Sequence, residues 1–205
     1  MTPPRRQVIA AALVLGLAGP ALAAHAPAHK PALAPDDMSL GNSRAKVTVI
    51  EYASASCPHC AHFNNEVFPA FKAKYIDTGK IHYVFREFLT PPPEVAAAGF
   101  LVARCAGKDK YFKVLDIFFR GQQRMYETGD VTAALVAAGQ SGGLDAAKID
   151  ACLDDQAAAD AMQARIERYA KDDGINSTPT FVINGKKIEG VATLAQLDAA
   201  IGAAR

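Results

Sequence analysis

The stretch that most constrains this chain begins with a β-branched, apolar run, Lys46-Val-Thr-Val-Ile-Glu-Tyr52. After four small residues it reaches Cys57-Pro-His-Cys60, and Phe63, Val67, Phe71 and Tyr75 then recur at four-residue steps. The first run has the composition and length of a buried strand, and the last has the spacing of one helix face, with a bend expected at Pro69. Ile81-His-Tyr-Val-Phe-Arg-Glu-Phe88 reads as the next strand, which makes a βαβ unit with a parallel pair and two cysteines at the strand–helix junction.

The rest of the chain is organised around that unit. Pro91-Pro92-Pro93 closes it, and residues 94–173 show helical stripes with no convincing strand. Val95 to Ala106 is apolar nearly all round. Phe112, Leu115 and Phe119 make one face, Met162, Ile166 and Tyr169 another, and Gly174 ends the last helix. Thr180 to Ile183 returns to strand, Asn184-Gly185 is a two-residue hairpin signal, and Lys187-Ile-Glu pairs back. Thr193 and Gln196 form a capping box opening a helix with Leu194, Leu197 and Ile201 inward. The fold class is therefore α/β: a small sheet domain over 38–93 and 174–205, interrupted by an all-helical insert over 94–173.

Arg5 and Arg6 precede an apolar run, Val8 to Ala18, and Ala21-Leu22-Ala23 supplies small residues for cleavage. Residues 1–23 thus read as a secretory signal peptide cleaved near Ala23. The run is shorter than the roughly 20 residues of a spanning helix. Residues 24–37, rich in Ala and Pro, read as a flexible leader. The 22 basic and 21 acidic residues nearly balance, which leaves no basic excess for a nucleic acid. Export favours reading the four cysteines as thiol–disulfide chemistry.

Position gives Cys57 and Cys60 different chemistry. Pro58 suits the first helical position, so Cys57 is the N-cap and its sulfur faces the unpaired N–H groups of His59 and Cys60. The positive end of the helix stabilises a thiolate there and lowers its pKa. His59 can add a dipole or a charge beside it. Cys60, one turn along, is more buried and suited to resolve. A stabilised Cys57 thiolate is a good leaving group and makes the disulfide an oxidant. An inert disulfide or half a zinc site are the alternatives. A structural zinc site takes four Cys or His ligands, usually from paired clusters, whereas Cys105 and Cys152 are isolated.

Glu51-Tyr-Ala-Ser-Ala-Ser-Cys57-Pro-His-Cys60, with Ser177-Thr178-Pro179-Thr180-Phe181 far downstream, resembles the DsbA-type thiol:disulfide oxidoreductases of the thioredoxin superfamily. The resemblance covers roughly residues 38–201 and implies a thioredoxin fold with a helical insert. By the same resemblance, Cys57 is the nucleophilic, solvent-facing thiol, Cys60 the resolving one, and Thr178-Pro179 a cis-proline loop beside which a substrate strand can pair. Glu51 matches the family's buried acid near the resolving thiol. The implied activity is periplasmic dithiol oxidation with no bound cofactor, by a monomer. Its implied partners are exported proteins with reduced cysteines and a membrane quinone-linked reoxidase like DsbB. Related isomerases and reductases also carry Thr before this proline, so a disulfide reductase or isomerase is the second reading. A non-catalytic chaperone or metal-carrying module is the third.

Cys105 and Cys152 both fall on inward faces of the insert. In an exported chain they are expected to form a structural disulfide, with two buried thiols as the alternative. His62 reads as helix surface. His82 and Arg86 are expected to alternate outward, with Arg86 a candidate partner for Glu51.

Overall fold

The computed structural model describes residues 30–204. The signal peptide expected at 1–23 lies outside them, as does the first part of the leader.

A five-stranded sheet runs in the order β1-β3-β2-β4-β5. Its strands are β1 (Met38–Gly41), β2 (Val47–Ala53), β3 (Ile81–Glu87), β4 (Thr180–Ile183) and β5 (Lys186–Glu189). Strands β2 and β3 are parallel, with Glu51 opposite Phe85, whereas β4 is antiparallel to β2, with Glu51 opposite Phe181. The near-unbroken apolar run of β2 follows from this central place, since both of its faces are covered. Val49, Glu51 and Ala53 look to one side, among Phe63, Phe71, Tyr83 and Phe181; Ile50 and Tyr52 look to the other, with Val84, Tyr169 and Val182. The edge strand β1, antiparallel to β3, is one the sequence pattern did not mark.

The helical run after Cys57 is continuous from 58 to 76 but not uniform. It comprises α1 (Pro58–His62), a π turn (Phe63–Val67), α2 (Phe68–Phe71) and a second π turn (Lys72–Ile76). The irregularity expected at Pro69 therefore takes the form of wider turns. Pro69 has no N–H to donate four residues back, and the Phe68 N–H donates to the Phe63 carbonyl five residues back instead. Between β3 and β4 lie five helices, α3 (Pro93–Cys105), α4 (Lys108–Thr128), α5 (Val131–Ser141), α6 (Ala146–Leu153) and α7 (Gln156–Asp172). The last helix, α8 (Leu194–Ala203), opens with the expected Thr193–Gln196 capping box. Asn184 and Gly185 have positive φ, as a tight hairpin turn requires. Cys105 and Cys152 are joined in a disulfide between α3 and α6, Cα–Cα 6.0 Å.

Two expectations are corrected by one cluster. Arg86 is buried rather than outward, and it does not meet Glu51. Its guanidinium donates to Asp37, Asp173, Tyr52 Oη and the Ala32 carbonyl, and lies 4.8 Å from the Tyr169 ring centroid. His82 is buried on the same strand. This face of β3 is covered by the end of α7 and by residues 30–37. Those residues are consequently tied down rather than loose: Arg104 donates to the Asp36 carbonyl and Lys108 to that of Pro35. Composition suggested slack, but a buried cation needs acceptors, and this segment supplies them.

Candidate redox site

The two free thiols sit where β2 hands over to α1. Cys57 is the N-cap, with extended backbone (φ −82°, ψ 121°), and Pro58 occupies the first turn. Residue exposure is 8% for Cys57 and 0% for Cys60, so Cys57 is the outer sulfur, though recessed rather than open. The His59 ring is exposed, and it is the His59 backbone N–H, not the ring, that acts on the sulfur. His62 is on the surface as expected.

Electrostatics separates the two sulfurs. The Cys57 thiol is pulled down to about 5, first by a hydrogen bond with the Cys60 thiol. Burial opposes this, and the Thr178 side chain and the Cys60 and His59 N–H groups add to it. Those N–H groups act as a field at the helix end rather than as a closed cap, because Cys57 makes no capping hydrogen bond. Cys60 is pushed well above its ordinary value by burial and by the neighbouring Cys57; the Ser54 N–H, 3.5 Å from its sulfur, works the other way.

The Thr178–Pro179 peptide is cis and brings residue 178 against Cys57. Cys57 Sγ lies 3.6 Å from the Thr178 carbonyl oxygen, an acceptor for the thiol. The Thr178 hydroxyl is buried and has no hydrogen-bond partner among the described residues, which leaves it ready to donate to a thiolate. One residue thus offers an acceptor to the protonated sulfur and a donor to the ionised one.

Glu51 is inward because alternation along β2 directs it there, and it is 3% exposed. Tyr83 Oη donates to its Oε2 at 2.6 Å. Burial raises the carboxyl to about 8 despite that bond, so it holds a proton at neutral pH; once ionised, its charge would push Cys60 higher still. A cavity of about 330 Å³ reaches it, lined by Phe63, Phe68, Phe112 and Leu115, with Lys113 and Asp116 among its polar lining.

Sequence reasoning missed the loop that carries Cys57. Ser54 Oγ and Ser56 Oγ are 3.1 Å apart, Ser56 Oγ donates to the Thr90 carbonyl at 2.7 Å, and the Thr90 N–H donates to Ser54 Oγ. From α4, Gln122 Nε2 donates to the Ala55 carbonyl at 2.8 Å and to that of Cys57 at 3.4 Å, and Tyr126 Oη donates to the Ser56 carbonyl at 2.7 Å. The overlooked signal was Gln122 itself, a polar residue in line with Tyr111, Leu115 and Phe118 on the buried stripe of α4. Among the described residues, no group of three or more His, Cys, Asp or Glu is placed to hold a metal ion.

With the geometry established, the likeness to known proteins is informative. The thioredoxin family model matches residues 33–203. Wolbachia pipientis α-DsbA1 superposes with a TM-score of 0.74 at 28% identity, over 84% of this chain and 94% of that one. A protein named a putative protein-disulfide oxidoreductase in Rickettsia typhi is 36% identical over 155 residues, 75% of this chain and 57% of its own length. Disulfide bond formation protein D of Bacillus subtilis is 26% identical over 75% of this chain and 70% of that protein. The chain thus spans little more than half the length of the Rickettsia relative.

Proposed function

The chain belongs to the thioredoxin family and is of DsbA type, and we propose that it is an exported, periplasmic dithiol oxidase that introduces disulfides into newly translocated proteins. The observation that carries this reading is the split between the two sulfurs, with Cys57 drawn down to about 5 and Cys60 pushed up. A pair built this way favours its reduced form and so gives up its disulfide readily.

The geometry supports the following steps. A substrate thiolate attacks Cys57 Sγ of the Cys57–Cys60 disulfide, the S–S bond breaks, and Cys60 leaves with the electron pair. Glu51, protonated at neutral pH, offers the proton that this buried, poorly stabilised thiolate demands. The mixed disulfide between Cys57 and substrate is then attacked at the substrate sulfur by the substrate's second thiolate. Cys57 departs as a thiolate held by Thr178 and the α1 N-terminus. Two electrons pass from the substrate dithiol to the Cys57/Cys60 pair. A membrane quinone-linked partner like DsbB removes them, and no cofactor resides in this chain. Exposed strand backbone of the substrate pairs beside the Thr178–Pro179 loop.

Thiol trapping in intact cells tests the direction. Cys57 and Cys60 should be found mainly oxidised; a mainly reduced pair would instead favour the reductase or isomerase reading, which Thr178 before the proline keeps open.

A further inference from the structure

We propose that Gln122, assisted by Tyr126, is a positioning residue for the redox pair: from the helical insert it holds the carbonyls of the loop before Cys57, and thereby sets how well the Cys57 thiolate is stabilised. The proposal uses the Cys57/Cys60 reading above only to say which sulfur reacts.

Three consecutive carbonyls, those of Ala55, Ser56 and Cys57, are taken by two side chains of α4, one turn apart. Gln122 is 2% exposed, and an amide buried that deeply at a backbone loop is costly unless it is bonded. The loop has no regular ladder of its own; its other restraints include the Ser54 turn, through Cys57 N–H to Ser54 O at 3.1 Å, and the Ser54–Ser56–Thr90 bonds. The Cys57 carbonyl also accepts the Ala61 N–H, so Gln122 acts on the same oxygen that starts α1.

Two consequences follow for the sulfur. Each carbonyl oxygen is a negative partial charge close in the chain to a thiolate. Binding it to an N–H or O–H donor offsets that charge at short range, where the low dielectric of a buried site magnifies it. The same bonds fix the φ and ψ of the N-cap, on which the alignment of Cys57 Sγ with the α1 N–H groups depends. Tyr126 is close enough that the Cys57 charge, after burial, acts on its phenol. The insert is therefore electrically part of the redox loop, although both cysteines lie outside it.

Gln122→Met keeps the side-chain length and removes the donor. In the purified, folded variant the Cys57 pKa, read from thiolate ultraviolet absorbance, should rise by about one unit. The equilibrium constant against glutathione should move about tenfold towards a weaker oxidant. Tyr126→Phe removes one oxygen from a side chain that is 41% exposed and should shift both quantities the same way, by roughly threefold. A folded Gln122→Met with both quantities unchanged, or a Tyr126→Phe with both unchanged, overturns the proposal. A lower Tm without those shifts would mean a purely structural role and overturns it equally. Neither readout depends on whether cells hold the pair oxidised or reduced, so the two ideas fail separately.

Discussion

The molecule holds two cysteine pairs whose sulfurs are equally capable of bonding, and their surroundings divide them. Cys57 and Cys60 lie at the end of a buried strand, within reach of a helix N-terminus, an unpartnered hydroxyl, a buried acid and a loop strung with hydrogen bonds. Cys105 and Cys152 join two helices, α3 and α6, of the insert. The first pair is placed where ionisation of one sulfur is favoured and of the other opposed, and the second is placed to close a loop. What distinguishes a reactive pair from a structural one here is the field around each sulfur rather than the bond.

The sharpest way to break that contrast is substitution. Cys57→Ser should abolish oxidation of a reduced two-cysteine substrate, while a Cys105→Ala, Cys152→Ala double variant should keep it. A double variant as inactive as Cys57→Ser would erase the distinction. The double variant should instead lose stability, by about 4 kcal/mol for a loop of 47 residues in the chain-entropy model, read from denaturant unfolding.

Glu51→Gln comes next. The folded-state carboxyl titrates near 8, above its ordinary 4.5, so the folded chain keeps a proton that the unfolded chain releases as pH rises between those values. Stability should fall across that window in the native protein. The amide variant should flatten the slope and gain roughly 3 kcal/mol at pH 7, with no difference below pH 4.5; a stability loss at pH 7 would contradict the buried-acid reading.

A smaller effect is expected of Thr178→Val, which removes the hydroxyl available to the Cys57 thiolate. The Cys57 pKa should rise by about one unit, and an unchanged titration would leave the lowering to the Cys60 thiol and the α1 N–H groups. Cys57 itself has a folded pKa near 5, below its ordinary 9, so its contribution to the reduced form is present above 9 and lost as pH falls through 5. The margin by which the reduced protein outlasts the oxidised one in thermal unfolding should close over that range, while the Cys105–Cys152 disulfide adds no such dependence.

The sequence made the βαβ unit, the insert, the hairpin and the capping box legible, because each rests on local periodicity or turn chemistry. Glu51 was placed near the resolving thiol by resemblance, and alternation on a strand covered on both faces gives the physical reason. What stayed hidden depended on distant partners. Arg86 reads as a surface residue until Asp37, from before the sheet, and Asp173, from the end of the insert, are found on the same face. Residues 30–37 read as slack because composition cannot show that a buried guanidinium is waiting for them. Gln122 looks like a polar break in an apolar stripe, and only the loop folded against it supplies the reason.

The contact between Cys57 and Thr178 spans 121 residues of chain. A chain emerges from synthesis with its N-terminus first, so the CxxC segment exists long before residue 178 does. Through that interval Cys57 lacks the hydroxyl and carbonyl that tune it, and the flank that β4 gives β2 is missing. With the insert threaded between the two halves of the site, the surroundings of Cys57 are complete only once residue 178 is in place.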